Sequence, residues 1–172
     1  MERNKDKYLS DSDIVRIVET YSDMLLRIAL NRVKSIPAAE DIVQTVFERL
    51  MRRQPVFESR EHEKAWLIRT AVNLCLTDLR TESRRGELPL NEDIAQSYGE
   101  ESYEVLDAVQ TLPTPDRYAV YLYSYEGYGV REIGKLLKEP EGTISSRLSR
   151  ARKKLKAILE GGKHGRQIQQ RL

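Results

Sequence analysis

YEGYGVREIGKLLKEPEGTISSRLSRARKKLKA, residues 125–157, reads as a short helix, a tight turn and a long basic helix. The short helix spans 130–137, where Ile133, Leu136 and Leu137 recur at i, i+3 and i+4 while Arg131, Glu132 and Lys135 face water. Pro140 disfavours helical geometry at Glu139, so the chain turns near Lys138 and Glu139 and a second helix starts around 141–143. That punctuation is a helix-turn-helix. In the second helix Ile144, Leu148, Ala151, Leu155 and Ile158 form the packing stripe. Thr143, Ser145, Ser146, Arg147, Ser149, Arg150 and Lys154 are left on the remaining surface. A major groove admits one helix, and Arg reads guanine as a bidentate donor while Ser and Thr adapt to either role. The amides at the helix start, near Gly142 and Thr143, suit a phosphate oxygen. The competing reading is a solvated Lys/Arg-rich face on an ordinary packing helix. The turn and the preceding short helix weigh against it.

The whole chain has 172 residues, 40% hydrophobic and 33% charged, which fits one ordinary globular domain or two small ones. No run reaches the roughly 20 apolar residues of a membrane span, and MERNKDKYLSDSD has no signal-peptide core, so the expected compartment is the cytoplasm. Cys75 is the single cysteine and His62 and His164 the only histidines, which leaves no disulfide and no metal cluster to expect. The net charge of +2 conceals segregation. Residues 86–130 carry nine acids against Arg117 alone, whereas 131–172 carry twelve Lys/Arg against Glu132, Glu139, Glu141 and Glu160. A basic C-terminal part suits a polyanion.

Upstream, Asp11 or Ser12 caps a helix expected to reach about Lys34, with Ile14, Ile17, Val18, Tyr21, Leu25, Ile28 and Val33 on its stripe. Pro37 suits the first turn of the next helix, whose inner face is Ala38, Ala39, Ile42, Val43, Val46, Phe47 and Leu50. Its outer face holds Glu40, Asp41, Gln44, Glu48 and Arg49. RRQPVFESRE, 52–61, reads as a loop, and a third helix runs over 62–83. That helix mixes apolar residues with Trp66, Arg69, Asn73, Arg80, Arg84 and Arg85. Trp66 reads first as a core anchor, and second as a platform for a splayed base beside arginines. After Arg85, periodicity fades through GELPLNEDIAQSYGEESYE, an acidic flexible linker by composition. Helices resume near 103–112 and over 116–125, with Pro113-Thr114-Pro115 as the break between them. No strand-period segment or repeat interrupts this all-α pattern.

Three stretches in register, AAEDIVQTVFERL (38–50), KAWLIRTAVNLCLTDLR (64–80) and the opening one over 125–155, resemble the extracytoplasmic-function (ECF) sigma factors of bacterial RNA polymerase. The resemblance implies two small helical domains: a sigma-2 bundle at 11–85 and a sigma-4 helix-turn-helix domain at 103–160. It also implies an acidic linker at 86–102, threaded toward the RNA exit path, and leaves 161–172 as a basic tail. It implies docking on the β′ clamp helices through Asp41, Gln44, Glu48 and Arg49, and contact with the β subunit as well. It implies minus-ten DNA recognition and melting by Trp66, Arg69 and Asn73, with Arg80, Arg84 and Arg85 on backbone. Minus-35 recognition would fall to Thr143, Ser145, Ser146, Arg147, Ser149, Arg150 and Lys154. Core polymerase, promoter DNA and an anti-sigma factor are the implied partners; neither a cofactor nor catalytic chemistry is expected. Three positions depart from the family pattern. Lys138 stands where the turn usually has glycine, and Ser145 and Ser149 where larger base readers are common. The alternative from residues alone is a helix-turn-helix repressor or activator working without polymerase.

Overall fold

The computed structural model describes residues 8–33, 35–77 and 108–161, and the chain divides into two compact units, 1–87 and 88–172. Among the described residues the secondary structure is helical, with no strand.

In the first unit, α1 (Asp11–Leu30), α2 (Ile36–Arg53) and α3 (Arg60–Thr77) pack on one another. α1 starts one residue earlier than expected, because Ser10 is the cap: its hydroxyl accepts from the Asp13 amide and the Asp13 carboxylate accepts from the Ser10 amide. It also stops at Leu30, short of Lys34, with Asn31 as C-cap. The Asn31 side chain donates to the Arg27 carbonyl, which also accepts the Asn31 backbone N–H, so one residue closes the last turn twice. α2 ends on Gln54, whose left-handed backbone reverses the chain, while its amide group accepts from the Leu9 N–H and donates to the Met51 carbonyl. Ser59 opens α3 by accepting from the His62 amide.

The core follows the apolar stripes: Ile17, Leu25 and Ile28 from α1, Val46 and Leu50 from α2, Leu67, Ile68, Val72 and Cys75 from α3. One polar clasp crosses this core. Arg16 of α1 meets Glu63 of α3 side by side, at 2.9 Å and 2.7 Å, with the Glu63 side chain 4% exposed and that of Arg16 29%. The fork geometry of guanidinium on carboxylate explains how so buried an acid is tolerated.

In the second unit a helical segment ending at Gln110 leads through a turn at Thr111 into α4 (Thr114–Ser124), then α5 (Val130–Leu137) and α6 (Glu141–Gly161). The 113–115 break therefore starts α4 two residues before the expected 116, because Pro115 occupies a first-turn site where its missing N–H costs nothing. Arg117 joins the segments by donating to the Gln110 side-chain oxygen and, at 2.7 Å, to the Thr114 hydroxyl. Tyr118, Leu122, Ile133, Ile144, Leu148 and Leu155 fill the core of this unit.

Candidate nucleic-acid interface

α5 and α6 have the bounds expected of the helix-turn-helix, and the turn between them is built from two unusual backbone positions. Lys138 sits in the left-handed region at φ 56°, ψ 45°, so a side chain occupies the geometry glycine favours. Its N–H and that of Glu139 both close on the Gly134 carbonyl, the latter at 2.9 Å. Gly134 lies so close beneath the turn that a Cβ there would stand 2.8 Å from the Glu139 carbonyl oxygen. The angle at which α6 leaves α5 thus depends on a glycine inside a helix.

Helical rotation of about 100° per residue sorts the α6 side chains around the buried row Ile144, Leu148, Ala151 and Leu155. Ser146, Ser149, Arg150 and Lys153 lie opposite it, Ser145 and Arg152 on one flank, and Thr143, Arg147 and Lys154 on the other. Ser145, Ser146, Ser149, Arg150 and Lys154 are exposed and Thr143 is half-buried. The Ser146 hydroxyl donates to the Gly142 carbonyl at 2.8 Å, which leaves its lone pairs outward. Arg152 lies over the Tyr123 ring, 5.2 Å from its centroid. Lys154 reaches back to the Thr111 carbonyl at 2.5 Å, tying α6 to the turn before α4.

Arg147 is placed differently from the other expected readers. Its side chain is 16% exposed and ion-paired with Glu139 of the turn at 2.8 Å and with Asp116 of α4 at 3.7 Å. It locks α6 against both neighbours. Arg150, one turn on, is 64% exposed and also stands 3.7 Å from Asp116.

In the first unit Trp66 is half-buried at the start of α3, its ring edge-on to Phe57 at 6.0 Å; Phe57 in turn meets His62 edge-on at 5.8 Å. The 54–59 loop thereby brings an aromatic cluster beside Trp66. Arg69 is half-buried and Asn73 exposed on the same helix. Arg80, Arg84, Arg85, the 86–102 linker and the tail after 161 lie outside the described residues.

Between α1 and α2 runs an open groove of about 510 Å³ with Leu26, Val43, Phe47 and Met51 as its apolar lining and Asp23, Glu40, Gln44 and Glu48 among its polar groups. Gln44 donates to Glu48 at 3.0 Å across one helical turn. Asp41 and Arg49 belong to the same helix but do not line the groove; Asp41 is exposed and Arg49 half-buried.

No described helix is long and apolar enough to cross a membrane. Sequence reading missed Gly134, the Arg16–Glu63 clasp and Asp116. Only Gly134 carried a signal, as a glycine interrupting an apolar helical stripe.

The Sigma-70 region 2 family matches residues 17–85 and the Sigma-70, region 4 family residues 102–155. The ECF RNA polymerase sigma factor SigM of Mycobacterium tuberculosis is 28% identical over 159 residues, 90% of this chain and 79% of that one. The ECF RNA polymerase sigma-E factor of Haemophilus influenzae is 30% identical over 145 residues, 72% of this chain and 75% of that one. In fold, the chain is similar to the sigma factor RpoE from Bartonella quintana, solved in complex with the anti-sigma factor NepR. That match has a TM-score of 0.72 and 23% identity, and covers 87% of this chain and 98% of that one. Nothing in these likenesses favours a repressor acting without polymerase. Two sigma-70 regions in order, on an all-helical fold of the same kind, place this chain in the family of ECF RNA polymerase sigma factors, which bind core polymerase and direct promoter-specific transcription initiation.

Proposed function

We propose that the two units divide the work of promoter recognition residue by residue, with domain limits at 11–85 and 103–160 joined by the acidic stretch 86–102. The α1/α2 groove receives core polymerase, Gln44 and Glu48 lying in the contact and Asp41 and Arg49 at its margin. An apolar lining edged by Asp23, Glu40 and Glu48 suits a partner that presents apolar residues flanked by Lys or Arg. Trp66, Arg69 and Asn73 hold the minus-ten strand, the aromatic cluster with Phe57 offering a surface on which a splayed base stacks. Arg80, Arg84 and Arg85 continue that contact along the backbone.

At the minus-35 element Ser145, Ser146, Ser149 and Arg150 face base edges, and Thr143 lies beside the phosphates at the N-terminus of α6. Arg147 and Lys154 support the helix from its packed flank. The observation that carries this assignment is the serine and arginine face of α6 exposed opposite its buried row. The B. quintana relative was solved with an anti-sigma factor, which supports restraint of this chain by a protein of that kind.

The test is holoenzyme assembly with core RNA polymerase. Exchanging Gln44 and Glu48 together for Ala weakens co-elution with core, while Arg150→Ala leaves assembly intact and removes preference at one base pair, worth about 1–3 kcal/mol. Unchanged assembly of the double variant removes the groove from the docking surface. A uniform loss of affinity for all DNA in Arg150→Ala makes that residue a phosphate contact.

A further inference from the structure

We propose that Asp116, on α4, is a positioning residue for sequence readout: it holds the Arg150 guanidinium on one flank of α6 and so decides which base pair that arginine meets. The inference rests on Arg150 being a base reader. Asp116 lies in the first turn of α4, with its side chain 9% exposed, and one of its oxygens, Oδ1, stands 3.7 Å from nitrogens of both Arg147 and Arg150. The two arginines use it differently. Arg147 has Glu139 at 2.8 Å and is largely buried, so its place is secured without Asp116. Among the described residues Asp116 is the only carboxylate ion-paired with Arg150, whose side chain is otherwise exposed.

At 3.7 Å the contact is electrostatic rather than a hydrogen bond, and it involves one nitrogen of the guanidinium. The remaining donors of the planar fork are left for a guanine edge, which accepts two of them. A long side chain on an open helix face otherwise spreads over many rotamers and reaches phosphates and several bases alike. A nearly dry carboxylate beside its guanidinium narrows that spread before DNA arrives, and discrimination follows from pre-orientation. Asp116 itself stays in the protein core and touches no DNA.

The experiment uses full-length protein assembled with core RNA polymerase and a duplex library randomised across the minus-35 element. Arg150→Ala flattens preference at one base pair by about 5- to 100-fold. Asp116→Asn, which keeps shape and removes charge, flattens the same base pair several-fold. In the Arg150→Ala background Asp116→Asn adds less than about twofold at that position, the signature of two residues acting as one. Equal weakening on every duplex, tracking thermal stability, would make Asp116 merely structural and overturn the proposal. If Arg150→Ala leaves every preference intact, the assignment of Arg150 as reader fails, and the proposal with it. Should Asp116→Asn not fold, relaxation of the Arg150 Nε–Hε group in the wild-type protein decides: an order parameter above about 0.6 supports the held arginine, and a lower, freely rotating value overturns it.

Discussion

Replacing Gly134 by alanine tests whether the helix-turn-helix is governed by helix propensity or by close approach. In an ordinary helix interior the exchange stabilises by about 1 kcal/mol. Here the added methyl stands 2.8 Å from the Glu139 carbonyl oxygen, so the turn or the helix must give by about half an ångström to reach ordinary contact. The obstacle is backbone, and the chain around it is committed: the Glu139 amide bonds the Gly134 carbonyl, and the Glu139 carboxylate holds Arg147. Overpacking of this kind costs about 1–3 kcal/mol, which at mid-range outweighs the propensity gain and leaves a net loss of up to about 2 kcal/mol. Lys138→Gly has the opposite sign. It relieves a left-handed side-chain position worth about 1–2 kcal/mol at an entropic cost of about 0.5–1, for a net gain of up to about 1.5 kcal/mol. Urea unfolding resolves both, because the single Trp66 reports only the first unit, whereas all nine tyrosines except Tyr8 and Tyr21 lie in the second. The tyrosine transition moves down in Gly134→Ala and up in Lys138→Gly, while the Trp66 transition stays fixed. A stabilised Gly134→Ala would refute the close-approach argument outright. Minus-35 binding falls in the same variant with core binding retained, since the shift lies between α5 and α6.

Two further outcomes concern the first unit. Glu63→Gln keeps the shape of the α1–α3 clasp but leaves part-buried Arg16 only the more distant Asp13, at 3.9 Å, as counter-charge, costing about 1–3 kcal/mol; the Trp66 unfolding transition reads the loss, and an unshifted transition removes the clasp from the core. The Ser10 hydroxyl and amide hold the Asp13 carboxyl below the usual carboxylate range, so the carboxylate half of the α1 cap is fully formed above that range and is lost only as pH falls through the lowered value. Amide exchange in the first turn of α1, corrected for intrinsic rates, is accordingly unchanged from about pH 7 to pH 5 and quickens only in stronger acid.

The helices were readable in the sequence because each carries its own stripe. Ile144, Leu148, Ala151 and Leu155 define the inner face of α6 with no knowledge of the partner, although Ile158, read on the same stripe, is exposed, and Pro140 marks the turn. The left-handed Lys138 was foreseeable too, as one of two ways to close a turn lacking glycine. What could not be read were contacts whose partners are distant in sequence. Nothing near Glu63 announces that it meets Arg16, 47 residues away. Arg147 looks like any cation of a basic helix until the crossing of α4 puts Asp116 beside it. A charge on the border of an apolar stripe has two destinies, solvent or a buried acid, and only the neighbouring helix chooses. Pro115 misled for a simpler reason: proline ends one helix and begins the next with equal ease, and Pro113-Thr114-Pro115 does both within three residues.

The placement of Arg147 also alters what kind of contact α6 makes under the proposed assignment. With Arg147 turned to the protein and Lys154 tied to Thr111, the N-terminal half of the face opposite the core is short-chained, Ser146 and Ser149, with Arg150 beside them and Lys153 one turn on. Short residues let the helix backbone sit deep in the groove, and one hydroxyl is already spent on Gly142. Serines discriminate weakly among bases, whereas a bidentate arginine discriminates strongly. Direct readout by such a helix therefore concentrates in one side chain, and the remaining preference comes from the shape of the duplex that a deeply seated helix tolerates. This arrangement makes base-pair preferences steep at one position and shallow at its neighbours. A selection yielding several equally steep positions would require a second strong reader on α6, and Arg147 would then have to leave both Glu139 and Asp116 on binding.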